Sequence, residues 1–287
     1  MTHREQAVRF GWACKWVENF GITLDPARVA IYRRDLEALA DHVEAGNGLQ
    51  FEEKRGLENI INSVVEAQEL IEIYAGLKNR EDAHLADLLR KYIGGTPLRT
   101  HETPRTSEAR NTGFHLWFVS NVAKCDVPID LTPPADATIP TSDYSITVEC
   151  KRLFSPRNIK QNIKKGFRQL QKRYKQHDTK TKIFGVLALS LGKLDESLTD
   201  AYDEADLTAQ ANEKLERFRL ENERHWVTRR TEREIGVFLH WTAPVRVKNP
   251  YLLITATNFH IYPLCEPDTR QGYILRALKD RLHRLVT

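Results

Sequence analysis

Residues 135–152 read Ala-Asp-Ala-Thr-Ile-Pro-Thr-Ser-Asp-Tyr-Ser-Ile-Thr-Val-Glu-Cys-Lys-Arg. Ala135–Ile139 and Tyr144–Lys151 are short β-rich runs, and Pro140-Thr141-Ser142-Asp143 between them has the composition of a tight turn. The expectation is a hairpin. Side chains alternate across a strand, so Ile146, Val148 and Cys150 share one face while Glu149 and Lys151 point to the other. Asp136 lies 13 residues before Glu149, and the turn returns it beside that carboxylate. Two carboxylates and an ammonium at the polar end of one hairpin are what a hard divalent cation calls for: oxygen ligands hold Mg²⁺ and leave several waters in place for a phosphate. Such an ion polarises a phosphoryl oxygen and lowers the pKa of a bound water, while a lysine positions or deprotonates the nucleophile. Asp136 and Glu149 are therefore the expected metal ligands and Lys151 the expected catalytic lysine. Asp130 is a rival ligand 19 residues before Glu149, and Asp143 belongs with the turn. A plain salt bridge between Glu149 and Lys151 is the alternative reading.

Downstream of the hairpin, Pro156–Gln176 places Ile159, Ile163, Phe167, Leu170 and Tyr174 at helical spacing and contains no acidic residue. The chain's net charge of +4 is unevenly distributed: residues 1–100 carry −3, 101–150 carry −4, and 183–287 balance. Residues 151–182 hold 12 basic side chains against one acidic. A solvated helix face usually intersperses Glu for pairing one turn away, so a polyanion is the expected partner. Arg152, Arg157, Lys160, Lys164, Lys165, Arg168, Lys172 and Arg173, continued by Lys175, Lys180 and Lys182, are the candidate phosphate contacts. A solvated basic face is the ordinary alternative.

The segment Asp136…Val148-Glu149-Cys150-Lys151-Arg152 resembles the D…ExK signature of the PD-(D/E)xK, restriction-endonuclease-like nucleases. The flanking context is similar too: a helix before the hairpin, and a basic amphipathic helix after it containing Gln169-Leu170. The resemblance spans roughly residues 105–190. It implies an α/β fold with a restriction-endonuclease-like core, a mixed sheet flanked by helices. It also implies hydrolysis of nucleic-acid phosphodiester bonds, with DNA ranked ahead of RNA as substrate, dependent on Mg²⁺ or alternatively Mn²⁺. Gln169 would then be a supporting polar contact, and the backbone carbonyl of Cys150 would sit beside the metal. Ala135 stands where the family often has Pro, with Pro133-Pro134 just upstream. In the preceding helix His115 stands where a Glu often follows the Phe; Glu108, seven residues earlier, shares its face. Either is implied as a further metal ligand. By analogy of kind, such nucleases resemble bacterial restriction or anti-phage defence effectors, which act with a helicase, ATPase or other defence-system partner. The rival reading is a nucleic-acid-binding or partner-recruiting protein on an inactive nuclease fold.

The remainder of the 287 residues frames this core. Helices are expected at Arg4–Phe20, with Val8, Trp12, Trp16 and Phe20 as one apolar stripe, and from Asp25-Pro26 to Gly46-Asn47-Gly48. Others are expected at Phe51–Leu77, Glu81–Ile93 and from Ser107 through Phe114, Trp117, Phe118 and Val122. A buried strand at Lys182–Leu191, a charged helix over about 196–230, and strands at Ile235–Trp241 and Tyr251–Tyr262 complete the reading. The expected organisation is a helical N-terminal domain (1–95), a linker (96–106) and the nuclease-like domain (107–287). A hydrophobic share of 41% can bury a core, and the mean hydropathy is −0.51. No apolar run approaches the ~18 residues that span a bilayer, and the first ten residues lack the apolar stretch of a signal peptide. Cys14, Cys125, Cys150 and Cys265 have no CxxC spacing, which argues against a zinc ribbon and for a reducing, cytoplasmic setting. Neither GxxxxGK[ST] nor GxGxxG occurs, so any ATP-driven step needs another protein.

Overall fold

A computed structural model describes residues 1–103, 105–176, 182–194, 198–200, 204–248 and 251–282. The chain is α/β, and it divides into two compact units: 1–117 with 196–207 and 242–256, and 118–195 with 208–241 and 257–287. This division differs from the expected boundaries at 95 and 106. Within the segment expected as a linker, the Pro97 carbonyl accepts from Tyr32 Oη (2.5 Å), Asn62 Nδ2 (2.6 Å) and Arg110 Nη2 (3.3 Å).

The first unit begins with helices α1 (His3–Glu18), α2 (Arg28–Glu44), α3 (Gly48–Arg55), α4 (Leu57–Leu77) and α5 (Ala83–Ile93); α6 (Glu108–Lys124) belongs to it up to Trp117 and to the second unit from Phe118. A capping box opens α1: the Glu5 amide donates to Thr2 Oγ1 and the Thr2 amide to Glu5 Oε2. α1, α2 and α4 pack on one another around Phe10, Val17, Leu36, Leu39, Ile60, Leu70 and Ile73. Three expectations change here. The stripe Val8–Trp12–Trp16–Phe20 does not hold: Trp16 is buried, whereas Trp12 is 58% exposed and Val8 45%. Steps of four residues advance about 40° beyond a full turn each time, so a strict row walks off the core face. α2 begins at Arg28 with Ala27 as N-cap rather than at Asp25-Pro26, which form a turn. The single helix expected from Phe51 to Leu77 is broken at Gly56, whose φ of +89° is left-handed backbone that glycine adopts without a Cβ clash.

Deep in this unit lies a charged cluster. Arg28 pairs with Glu66 through Nη1, Arg110 Nε reaches Glu66 Oε1 at 2.7 Å, and Arg99 Nε stands 3.9 Å from the same oxygen. Burial pushes the Glu66 carboxyl up, but the charges of Arg28, Arg110 and Arg99 outweigh it and hold the group below the usual carboxylate range. His3 is also buried, and its Nε2 accepts from the Leu253 amide at 3.2 Å.

The described strands are β1 (Ala137–Pro140), β2 (Tyr144–Arg152), β3 (Lys182–Ser190), β4 (Thr199–Asp200), β5 (Glu234–Lys248) and β6 (Tyr251–Pro263). They form one mixed sheet in the order β1-β2-β3-β5-β4, with β6 also paired to β5. β1 and β2 are antiparallel, with Ala137 opposite Val148; β2–β3 and β3–β5 run parallel, with Glu149 opposite Leu187 and Leu187 opposite Val237. The hairpin turn is tied by the Thr141 hydroxyl, which donates to the Tyr144 carbonyl and accepts from the Tyr144 amide. Helix α7 (Ile159–Gln176) follows a single 3-10 turn at Pro156–Asn158 and packs on β2 and β3. Ile163, Phe167 and Leu170 are buried beneath it. At Gly166 a β-carbon would overlap Leu187 Cδ1, so the close approach of helix to sheet depends on glycine there.

The expected helix over 196–230 is α8 (Glu204–Val227); residues 195–197 and 201–203 lie outside the described residues, and Thr199–Asp200 are strand. β5 extends well past Trp241. Helix α9 (Arg270–Leu282) was not expected, although Ile274, Leu275, Leu278 and Leu282 form its buried face. No described helix is long and apolar enough to cross a membrane.

Candidate active site

The site stands on the hairpin and on α7, all within the second unit. Asp136 occupies the bend immediately before β1, rather than the strand itself, and its Oδ2 accepts from the Cys150 amide at 2.7 Å. That bond fixes the Asp136 carboxylate against β2 one residue from Glu149. Alternation along β2 sends Glu149 and Lys151 to one face together. Lys151 Nζ lies 3.4 Å from Glu149 Oε2 and 3.6 Å from Asp136 Oδ2, and donates to the Cys150 carbonyl at 2.8 Å. From α7, Arg173 Nε donates to the other Glu149 oxygen, Oε1, at 3.2 Å.

Burial is graded across this cluster. The Glu149 side chain is fully buried, Lys151 and Arg173 are 13% and 14% exposed, and Asp136 is 32% exposed. Solvent thus reaches the group from the Asp136 side. Burial, and after it the negative charge of Asp136, pushes the Glu149 carboxyl above its ordinary range; Lys151 and Arg173 pull the other way. Cys150 points to the opposite face, and burial followed by the Asp136 charge pushes its thiol well up, so it is an inert core residue.

The cluster therefore contains two carboxylates bridged by one ammonium, a guanidinium on Glu149 alone, and a backbone carbonyl beside them. Oxygen donors of this kind fit a hard divalent cation. A further oxygen, Oε1 of Gln169, is buried without a hydrogen-bond partner; Gln169 lies one turn before Arg173 on the same flank of α7. Among the described residues no group of three or more His, Cys, Asp or Glu side chains gathers to hold a metal. Asp130 is turned to other work, with its Oδ1 accepting from the Thr132 amide and its backbone bridged to Thr138. Glu108 is 73% exposed on α6, 3.8 Å from Lys91, and His115 is buried on the same helix; both belong to the first unit.

The expected phosphate contacts separate into two classes. Arg157, Lys160, Lys164, Lys165, Arg168, Lys172 and Lys175 are exposed. None of them has an ion-pair partner among the described residues. Lys164, Arg168, Lys172 and Lys175 succeed one another at three- and four-residue steps, forming a ridge on the side of α7 away from Ile163 and Phe167. Arg152 and Arg173 depart from the expectation. Arg152 is buried at the end of β2, where alternation sends it to the Cys150 face. Arg173 belongs to the carboxylate cluster, which sequence reasoning missed; its position one turn after Gln169, on the flank instead of the outer ridge, was the available signal. Lys180 lies outside the described residues.

No family model, curated protein or solved structure matches this chain.

Proposed function

We propose that the protein is a metal-dependent phosphodiester hydrolase acting on nucleic acid, with DNA as its first substrate, and that its second unit is a restriction-endonuclease-like core. The observation that carries this reading is the convergence of Asp136 and Glu149 on Lys151 Nζ at 3.6 and 3.4 Å. Asp136 and Glu149, with the Cys150 carbonyl beside them, would hold Mg²⁺ or Mn²⁺, which supplies Lewis acidity toward a phosphoryl oxygen.

The chain's own groups do the rest. In hydrolysis a water oxygen bonds to phosphorus as the ester P–O bond breaks in line with it, a proton lost by that water is balanced by one gained on the departing ester oxygen, and negative charge builds on the phosphoryl oxygens in between. The Lys151 ammonium, held in place by the Cys150 carbonyl, orients that water and meets the developing charge. Asp136 is the most exposed of the three, so a backbone phosphate would approach from its side. The ridge formed by Lys164, Arg168, Lys172 and Lys175, with exposed Lys165 beside it, binds neighbouring phosphates, which supplies affinity without sequence readout.

A second reading, binding without cleavage, has one observation in its favour: Lys151 and Arg173 already neutralise both carboxylates. Incubation of supercoiled DNA, linear DNA and RNA with the purified protein in Mg²⁺ or Mn²⁺ separates the two. Cleavage that falls about 10²–10⁴-fold in Lys151→Ala is expected. Nucleic-acid binding with no cleavage in either metal would establish the second reading instead.

A further inference from the structure

Arg173 has a double placement. Its Nε–H is committed to Glu149 Oε1 at 3.2 Å, while no described residue accepts from its two terminal amino groups. It also ends a row of four-residue steps, Lys165–Gln169–Arg173, that begins at an exposed cation, so the flank that carries Arg173 adjoins the basic face of α7. Glu149 is fully buried and already shared by two cations, Lys151 and Arg173. A dication that takes Glu149 as a ligand puts a third cation on it, and Arg173, reaching in from the helix, is the one free to swing away.

We infer that Arg173 is a counter-ion that couples cation binding to phosphodiester binding: it occupies Glu149 in the metal-free protein and is released to a substrate phosphate when a divalent cation replaces it. The inference rests on the hydrolase reading above and adds a coupling that this reading does not require. Guanidinium suits the second role because its planar fork matches two phosphate oxygens at once. The arrangement keeps the buried carboxylate neutralised at every stage: by arginine before the cation arrives, by the cation afterwards. Reciprocity follows, since a cation that strengthens phosphate binding must itself be held more tightly in the presence of phosphate.

The test uses the full-length protein and two equilibrium readouts, neither of which needs turnover. Mn²⁺ binding is followed by electron paramagnetic resonance. Binding of a fluorescent duplex oligonucleotide is followed by anisotropy in EDTA and in Ca²⁺. Wild type, Arg173→Gln and Arg173→Lys are compared, with circular dichroism melts to establish folding; Arg173→Lys keeps the charge should Arg173→Gln fail to fold. The wild type should bind the oligonucleotide more tightly in Ca²⁺ than in EDTA. Arg173→Gln should bind Mn²⁺ about tenfold more tightly and lose most of the Ca²⁺-dependent gain in oligonucleotide affinity. Arg173→Lys should keep Mn²⁺ affinity near wild type and lose part of that gain. Unchanged or weaker Mn²⁺ binding by Arg173→Gln, or full retention of the Ca²⁺-dependent gain in Arg173→Gln or Arg173→Lys, overturns the inference while leaving a cleaving wild type a hydrolase. A wild type that binds no Mn²⁺ and cuts nothing overturns both.

Discussion

Replacing Glu66 by Gln keeps the side chain's shape and removes its charge from a cluster of three guanidinium groups. Arg28 and Arg110 are 0% and 2% exposed and Glu66 itself 4%, so water cannot take over the carboxylate's part. Removing one partner of a buried pair costs about 3–5 kcal/mol, because the remaining charge stays buried without compensation. Two well-buried arginines lose their counter-charge here, which places the expected loss near about 4 kcal/mol. With a urea dependence of about 2.5 kcal/mol per molar, the midpoint for the first unit should fall by about 1.6 M. The exposed Arg33–Glu37 pair, at 3.1 Å and half-exposed on both sides, is the built-in control: Glu37→Gln should cost under about 0.5 kcal/mol. Urea unfolding followed by circular dichroism at pH 7 measures both. The sign of the pH dependence gives a second check. The folded Glu66 carboxyl is held below its unfolded value, so its contribution is present above the unfolded pKa and is lost as pH falls through the folded one. The gap between wild type and Glu66→Gln should therefore narrow in acid. A loss below about 1 kcal/mol at pH 7 would refute the argument that these arginines depend on Glu66.

Three further outcomes are expected. Burial lowers the His3 pKa to about 4, so folded His3 stays neutral while the unfolded chain protonates below 6.5; stability should fall by about 3 kcal/mol between those values, and His3→Gln should lack that component in a pH series of unfolding curves. Gly166→Ala should destabilise the protein by about 1–3 kcal/mol through overlap with Leu187, against the roughly 1 kcal/mol that alanine gains in an open helix; a net increase in melting temperature would contradict the close approach of α7 to β3. Oligonucleotide binding should weaken steeply with salt, and each of Lys164→Ala, Arg168→Ala and Lys172→Ala should lower the log–log slope by about 1; an unchanged slope would remove that residue from the interface.

The hairpin and α7 were legible because both are governed by local periodicity. Alternation of two puts Glu149 and Lys151 on one face, and a helical period with no acidic residue sets the ridge apart from the buried row. What local periodicity cannot carry is the partner a long side chain chooses. Arg173 reads as one more cation in a basic run; its place on the flank of α7 sets it apart from Lys172, but that its partner is Glu149, 24 positions earlier, is told only by the distance. Arg152 fails for the opposite reason: its direction follows from the alternation that was applied to Lys151, but its charge argued for solvent. In the first unit, apolar spacing runs on through Gly56 although the helix breaks there, and a four-residue row that includes buried Trp16 leaves Trp12 exposed. The buried row of α9 was present in the sequence and lay beyond the last expected strand.

One consequence of α7 concerns what the chain can tolerate. A single helix carries a row seated on the sheet (Ile163, Phe167, Leu170), a flank bearing Gln169 and Arg173, and an outer ridge (Lys164, Arg168, Lys172). Point substitutions address these rows separately. An insertion or deletion cannot, because one residue more or fewer turns everything after it by about 100°. Placed before Ile163, it would unseat the apolar row, swing Arg173 off Glu149 and re-aim the ridge in one event. Length in this stretch is therefore under a stricter constraint than residue identity, and the first half of the helix acts as the phasing element for everything beyond it.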